Sequence, residues 1–480
     1  MLQSSSKPVL RIMAAAMFAA IPLAGCKVAQ VQRSDETARF KQYLGEQSGK
    51  LKPQVLQQLL MGQCEQIALA NSLSLRLEQM SLKIADQNVN IALSGALPNA
   101  SANYTNTYRN NDNMVGNRHE QGASVQATVP ILDWGLTYYS YQIAKDQRKQ
   151  DDLLLSRSVQ LLVRDVRIAY ADHAGAVRQE KLLARALMAG QEVLRVARSL
   201  QNAGETVHAD TSLVVASVAQ AEVDLSIAQK RLRETHLILS QLMSLPPGMD
   251  YAIDTILPEL PPVPTEKDVT AYCDRALDAR PELAVQDLQR HISAYQVKSQ
   301  ATAFFPRIDG IGAFNYSGGQ GAANSRWLTG GAQVSYGLLN GGADIFRYSI
   351  AKRQREIETA KTLLVSLGVV YDVEMRCLRV KEMHEIMRSA DALEAAREAG
   401  MTRILSLYKE GLEDEAGTAR ALADLTQQAT AADRATTDYL IAWHEMEAAV
   451  LPQHSRFEAS LTTRPTTAPS TVPATLPSAQ

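Results

Sequence analysis

The chain repeats itself. The octapeptide YQIAKDQR at Tyr141–Arg148 returns as YSIAKRQR at Tyr348–Arg355, six of eight residues identical at a separation of 207 positions. The same separation links Gly135 to Gly342, Asp165-Val166 to Asp372-Val373, and Gly204 to Gly411. Leu97-Pro98 answers to Phe305-Pro306 at 208. A constant separation held over landmarks this far apart marks a duplication, and a duplication decides the fold before any local propensity does. Whatever one half forms, the chain forms twice. The usual division of length by ~150 residues per domain therefore does not apply.

Each half reads helix, strand, strand, long helix, turn, helix. In the first, residues 54–96 follow a helical pattern, and Pro98 stops it because proline lacks the amide donor and clashes with the preceding turn. Alternation with period two follows, with Ala100, Ala102, Tyr104 and Tyr108 against Asn99, Ser101, Asn103, Thr105, Thr107 and Arg109. After a polar loop, Asn110 to Arg118, the return strand sets Ala123, Val125, Ala127, Val129 and Ile131 against Gly122, Ser124, Gln126 and Thr128. The second half sets Ile308, Phe314 and Tyr316 against Arg307, Asp309, Asn315 and Ser317. A loop is expected over Gly318 to Ser325. Leu328, Ala332, Val334, Tyr336 and Leu338 then oppose Thr329, Gln333 and Ser335.

These are four amphipathic strands, about 98–109, 119–131, 307–317 and 326–338, long enough for the ~9–11 residues a tilted strand needs to cross a bilayer. No other strand is expected to cover their apolar face. Four strands cannot close a barrel, since the smallest membrane barrels have eight. The edges must pair with other copies of the chain. Twelve strands from three copies, or eight from two, both satisfy this.

The long segments read as coiled-coil-like helices, uninterrupted by proline from Leu136 to Gln201 and from Ala343 to Lys409. A helix of ~66 residues spans about 100 Å. Leu155, Val159, Leu162, Val166, Ala169, Ala176, Leu183, Leu187, Leu194 and Ala197 make a heptad stripe that His173, Glu180 and Gly190 interrupt. The last helix carries Leu422, Leu425, Ala429, Ala432, Tyr439, Trp443, Met446 and Val450 at the same spacing. The long helices end in glycine turns at Gly204 and Gly411, where glycine accepts the left-handed conformation that reverses the chain. Tip candidates are Asn202, Gly204, Glu205, Gly411, Leu412 and Glu413. The expected fold class is mainly α with a small β part.

The N-terminus reads as an export signal. Lys7 and Arg11 precede an uncharged run from Ile12 to Gly25, too short to span a bilayer but suited to a signal peptide. It closes on Leu23-Ala24-Gly25-Cys26, which is similar to a lipoprotein box in which Cys26 is acylated and becomes the first mature residue. Lys27, not Asp, follows, so by the same resemblance nothing holds the lipoprotein in the inner membrane, and export in a Gram-negative bacterium is expected. The chain thus divides into signal 1–25, acylated segment 26–53, first repeat 54–245, linker 246–268, second repeat 269–452 and tail 453–480. Six prolines, Pro246, Pro247, Pro258, Pro261, Pro262 and Pro264, mark the linker, and the tail carries proline at every fourth position from Pro465 to Pro477. No transmembrane helix is expected after the signal. Of the remaining cysteines, Cys64 and Cys273 occupy matching places in the two halves, which leaves a bridge between them as one option. A small buried hydrophobe is the default for these two and for Cys377.

The chemistry of an enzyme is missing from this pattern. His384-Glu385 is followed by Arg388, and His444-Glu445 by Ala448, so neither makes a His-Glu-x-x-His metal helix. Gly318-Gly319-Gln320-Gly321 lacks the Lys-Ser/Thr of a phosphate loop. No catalytic set, metal site or cofactor is expected. With 49 basic against 51 acidic residues, a nucleic-acid binder is excluded. Aromatic residues are only 5% of the chain while Ala, Leu and Gln abound, which suits a thin wall of closely packed helices better than a thick core. The alternative reading, a periplasmic coiled-coil adaptor, needs one hairpin flanked by compact β domains, whereas this chain has two hairpins and four strands. An enzyme or binding protein on a helical rod lacks any site.

Taken together, the motifs resemble those of the TolC-like outer-membrane efflux proteins over about residues 50–452. The resemblance rests on Ala96-Leu97-Pro98 and Phe304-Phe305-Pro306 before one strand of each half, and on Val129–Gly135 and Tyr336–Gly342 after the next. Arg280-Pro281-Glu282-Leu283 and Tyr408-Lys409-Glu410-Gly411 also match the family pattern. It implies a homotrimer with a twelve-stranded outer-membrane barrel and a periplasmic α-barrel, a passive duct anchored in outer-membrane lipid. Its glycine-turn tip would dock to a periplasmic adaptor and an inner-membrane pump. Where relatives carry acidic residues after the second turn, this sequence has Gly417 and Arg420. Asp414, Glu415, Arg420 and Asp424 are the candidate pore-lining residues near the tip.

Overall fold

The computed structural model describes residues 33–55, 58–108, 119–203, 211–256, 259–319, 322–337, 341–410 and 412–450. Cys26, Gly204, Glu205 and Gly411, the first hairpin loop and the tail lie outside them.

The chain divides into two units. The smaller, residues 1–59 with 245–252, holds helix α1 (Arg33–Val55) and a hydrogen bond from the Leu59 amide to the Ala252 carbonyl, 2.9 Å. The larger holds everything else. Its elements are α2 (Met61–Asn71), α3 (Leu73–Ser94), β1 (Asn99–Tyr108), β2 (His119–Leu132), α4 (Leu136–Ala203) and α5 (Thr211–Leu242), then α6 (Glu266–Ala279), α7 (Pro281–Ala301), β3 (Arg307–Gly319), β4 (Ala322–Ser335), α8 (Gly341–Lys409) and α9 (Glu415–Val450).

Three boundaries differ from the sequence expectation. The helix expected over 54–96 is broken at Ser72, whose hydroxyl accepts from the Leu75 amide and starts α3 afresh. The second hairpin loop is tighter than Gly318 to Ser325. Small residues let the ladder continue past a bulge to Gly319↔Ala322, because backbone pairing does not require alternation. The linker ends earlier, since Thr265 caps α6 in a reciprocal box with Asp268. The expectation of no membrane-length helix is also qualified. Among the described residues one helix, α5 at 32 residues, is long and apolar enough by length and composition to cross a membrane.

Apart from α2 and α6, which pack onto α4 and α8 respectively, the helices of the larger unit lie side by side as a wall. Beside the sheet the helices neighbour one another in the order α3, α4, α7, α8; farther along α4 and α8, the order is α5, α4, α9, α8. α4 and α8 run the full length, about 100 Å at 1.5 Å per residue. Because α4 is flanked on both sides, its buried residues exceed a heptad stripe: Val163, Ala171 and Ala174 are buried as well as Val159, Val166 and Ala176. His173 does not interrupt the packing. It is buried with Nδ1 3.0 Å from the Thr235 hydroxyl of α5, and burial, then the nearby His236, pushes its imidazole down to about 4, leaving it neutral at pH 7. Gly190 is also inside the packing, beside Val218 of α5.

Small side chains set the spacing of α4 and α9. Ala429, Ala432, Ala435, Ala442 and Ala449 of α9 are buried. A Cβ at Gly175 of α4 would sit 2.6 Å from Oγ1 and 3.1 Å from Cγ2 of Thr437. Gly175→Ala should therefore lower the melting temperature of the helical signal, because overpacking of ~1–3 kcal/mol outweighs the ~1 kcal/mol gained in helix propensity. Adding Thr437→Ala to that variant should restore part of the loss; a rise in melting temperature for the single variant would contradict this packing.

Candidate channel elements

The four strands form one antiparallel sheet in the order β1-β2-β3-β4, so the two halves are joined by the β2–β3 ladder. Register places side chains in rows. Ala102, Val125, Phe314 and Leu328 make one row across all four strands, and Ala100, Ala127, Gly312 and Gly330 the next. Asn103, Ser124, Asn315 and Trp327 lie on the opposite face, with Ser101, Gln126, Ala313 and Thr329 beside them. There the Asn315 amide donates to the Thr329 hydroxyl at 3.1 Å. One face is thus apolar and the other mostly polar. The apolar one is not a core: Val125, Phe314 and Leu328 are exposed, Leu328 by 82%. An apolar sheet face open to the outside needs a non-aqueous neighbour, and strands of 10 to 14 residues are long enough for a bilayer.

Aromatic residues, scarce in the chain as a whole, gather at the two ends of this sheet. Tyr108 and Tyr316, both on the apolar face, lie toward the hairpin end. At the helix end, the Trp134 and Phe305 rings approach to 4.8 Å, and Phe304 meets Tyr348 at 5.8 Å. Such girdles bracket the apolar band of membrane barrels, where amphipathic rings suit the headgroup layer.

The helix-end junction also ties the halves together. Trp134 donates its indole N–H to the Pro306 carbonyl at 2.8 Å. It does so from a left-handed backbone, φ 54°, followed by Gly135 at 88°. Asp133 then caps α4, its carboxylate accepting from the Gly135 and Thr137 amides at 3.0 and 2.9 Å. Burial raises this carboxyl, and the hydrogen bonds from Thr137 and Gly135 outweigh it and hold it below the usual range.

Between sheet and tip, arginines fasten the helices. Arg280 of the Arg-Pro-Glu-Leu motif is buried, donating to the Ala449 carbonyl at the end of α9 and to Asp372 of α8, at 2.7 and 2.6 Å. Pro281 follows at the first helical position of α7, and Glu282 pairs with Arg157 of α4 at 2.7 Å. Arg167 of α4 bridges Glu65 of α2 and Glu447 of α9, at 2.7 and 2.8 Å. Arg178 holds Asp433 and Thr437 of α9, at 2.6 and 3.0 Å. Sequence reading singled out the Arg280 motif only by resemblance and missed Arg167 and Arg178, because isolated arginines on a helix face look like solvated charge.

At the tip, the expected residues take distinct places. Asn202 and Leu412 are exposed, and Glu413 is partly buried. Asp414 caps α9, its carboxylate accepting from the Gly417 amide at 2.6 Å. Glu415 is buried and accepts from the Tyr408 hydroxyl at 3.3 Å, which gives it a structural partner instead of a solvent-facing position. Arg420 is exposed. Asp424 pairs with Arg397 of α8 at 3.1 Å, both groups solvent-exposed. The four candidate lining residues thus do not form one cluster. Cys64 and Cys377 are buried, Cys273 is half-buried, and all three stand as unbonded thiols in this structure. Cys64 lies in α2 against α4 while Cys273 packs in α6 against α8, so the Cys64–Cys273 option is not realised.

A sheet with an apolar face open to the outside, joined to a helical wall, fits a chain of an outer-membrane channel. The chain belongs to the outer membrane efflux protein family, whose sequence profile matches residues 65–244 and 272–450, one stretch in each half. No curated protein matches it by sequence. Solved structures with the same fold include the Campylobacter jejuni CmeC outer membrane channel, TM-score 0.69 at 15% identity, covering 81% of this chain and 85% of that one. The open state of the Neisseria gonorrhoeae MtrE outer membrane channel gives 0.68 at 16%, covering 81% and 88%. A membrane protein from Pseudomonas aeruginosa gives 0.68 at 19%, covering 82% and 92%. At these identities the likeness is one of fold. The family places the chain in the outer membrane as an efflux duct.

Proposed function

We propose that three copies close into one passive conduit, a twelve-stranded barrel continued by a helical barrel, that carries cargo chosen by an inner-membrane pump and its periplasmic adaptor. The observation that carries this reading is the pair of open edges. β1 and β4 each pair on one side only, and their outer amides and carbonyls need partners in lipid. The helical edges match them. α5 exposes Val215, Val223 and Ile227, and α8 exposes Leu363, Leu364 and Leu367. Edge β1 of one copy meeting edge β4 of the next is a heterologous contact, which closes into a ring when the rotation permits. The inward curl of the sheet then puts the row of Asn103, Ser124 and Asn315 on water and the row of Val125, Phe314 and Leu328 on lipid.

In this assembly the turns around Asn202, Gly204, Glu205, Gly411, Leu412 and Glu413 form the periplasmic tip that docks to the adaptor. Arg420 and Asp424 are the solvent-facing charges that remain for the pore near it, with Asp414 and Glu415 serving α9 itself. A mixed basic and acidic lining does not favour cations as an all-acidic ring would. Acylation at Cys26 anchors the N-terminus in the outer membrane, and no step of transport needs a catalytic group.

Purified in detergent and added to a planar bilayer, the protein should give discrete conductance steps. Gly411→Trp should leave those steps intact while abolishing export in cells. Release of the protein from membranes by salt without detergent would contradict insertion. Palmitate labelling should be lost completely in Cys26→Ser; labelling that persists would refute the anchor.

A further inference from the structure

We propose that Cys273 and Cys377 are joined by a disulfide that clips α6 onto α8 in the exported protein. The two residues are far apart in sequence, but the fold brings their faces together. Val269, Tyr272, Cys273 and Ala276 follow helical spacing along one side of α6. That side packs into a single apolar cluster with Val369, Val373, Cys377 and Val380 of α8. The register is set by the Arg280–Asp372 pair at 2.6 Å. Stepping back from Arg280 to Cys273 covers about 10 Å, and stepping on from Asp372 to Cys377 about 7.5 Å, at ~1.5 Å per residue. The reach of an arginine side chain spans the difference, so antiparallel helices place the two cysteines at one level.

The electrostatics agree with this placement. Burial, then the charge of the neighbouring Cys273, pushes the Cys377 thiol up to about 11, and Tyr272 also feels Cys377. Cys273 in turn lies within reach of Glu374, one turn from Cys377. The pair is unequal in access. Cys377 is buried and Cys273 is half-buried, so an external reagent meets Cys273 first.

The chemistry follows from that order. The inference rests on the outer-membrane reading, which puts α6 in the thiol-oxidising periplasm. The oxidant is a periplasmic dithiol–disulfide oxidoreductase in its disulfide form. Cys273 thiolate attacks one sulfur of that disulfide and expels the other as a thiol, giving a mixed disulfide. Cys377 loses its proton, attacks the Cys273 sulfur and expels the second enzyme thiol. Two thiols of this chain are oxidised, and one disulfide of the oxidant is reduced to two thiols. The attack by Cys377 becomes easier once the neighbouring Cys273 charge is consumed in the mixed disulfide. Cys64 is the internal control: it lies in α2 against α4, and neither helix carries another cysteine.

The bond would close a loop of roughly 100 residues containing α7, the β3–β4 hairpin and the start of α8, the length range in which chain-entropy stabilisation is largest. Its test is a thiol census in two preparations. Full-length protein from cell envelopes, denatured and alkylated with iodoacetamide without reductant, should yield a linked Cys273–Cys377 peptide pair and alkylated Cys64. The same protein, reduced and then treated while folded in detergent with oxidised glutathione, should form the same linked pair. Cys273→Ser should lose the linked pair and leave Cys377 alkylated. Absence of the link from both preparations would overturn the proposed pairing of the two thiols. A link formed in detergent but absent from the envelope protein would instead overturn oxidation in the cell, while leaving that geometry standing. A linked Cys64 peptide in either would also overturn the assignment.

Discussion

A backbone amide in hydrocarbon has no water to turn to, and this single requirement organises the protein. Within the chain the ladders β1–β2, β2–β3 and β3–β4 satisfy it. The β2–β3 ladder matters most, because it is the only one that joins the two halves and makes a single four-stranded sheet. It leaves one row of groups open on β1 and one on β4. Duplication explains why those edges are complementary: β1 corresponds to β3 and β4 to β2, so β4 of one copy meeting β1 of the next repeats the β2–β3 ladder.

Below the sheet the problem changes from hydrogen bonds to spacing. Along much of the wall the helices lie side by side, so close contacts between small side chains matter as much as the bulky cluster around Tyr439. Gly175 against Thr437 and the buried alanines of α9 supply that closeness. A thin wall also needs fasteners that do not depend on a thick core. Arg280, Arg167 and Arg178 each reach from one helix to others and to backbone or carboxylate acceptors. Removing Arg178 would cost the partly buried Asp433 its ion pair, a larger loss than the pair itself contributes. Aromatic residues also stand at the two ends of the sheet, where rings match the lipid headgroup layer.

Much of this was legible in the sequence, for identifiable reasons. The repeat at 207 positions fixed the architecture, and period-two alternation placed the strands and assigned Val125, Phe314 and Leu328 to the apolar face, which the register supports. The break at Ser72 was hidden because a single cap residue inside a helical pattern carries little periodic signal. His173 looked like an interruption because a heptad stripe assumes one partner, whereas α4 packs on two flanks. The tip was the least legible part. Asp414, Glu415 and Asp424 are near one another in sequence, yet one caps α9, one is buried against Tyr408 and one pairs with Arg397. Acidic residues at helix starts serve the helix before they serve a pore, and sequence alone does not separate those tasks.

The central claim is that open edges of the sheet are closed by copies of the same chain. Native mass spectrometry of the protein released from detergent micelles tests it most directly. The account expects three chains per particle, with single chains appearing only after denaturation. A particle holding one folded chain would contradict it, because β1 and β4 would then have no partners in the membrane.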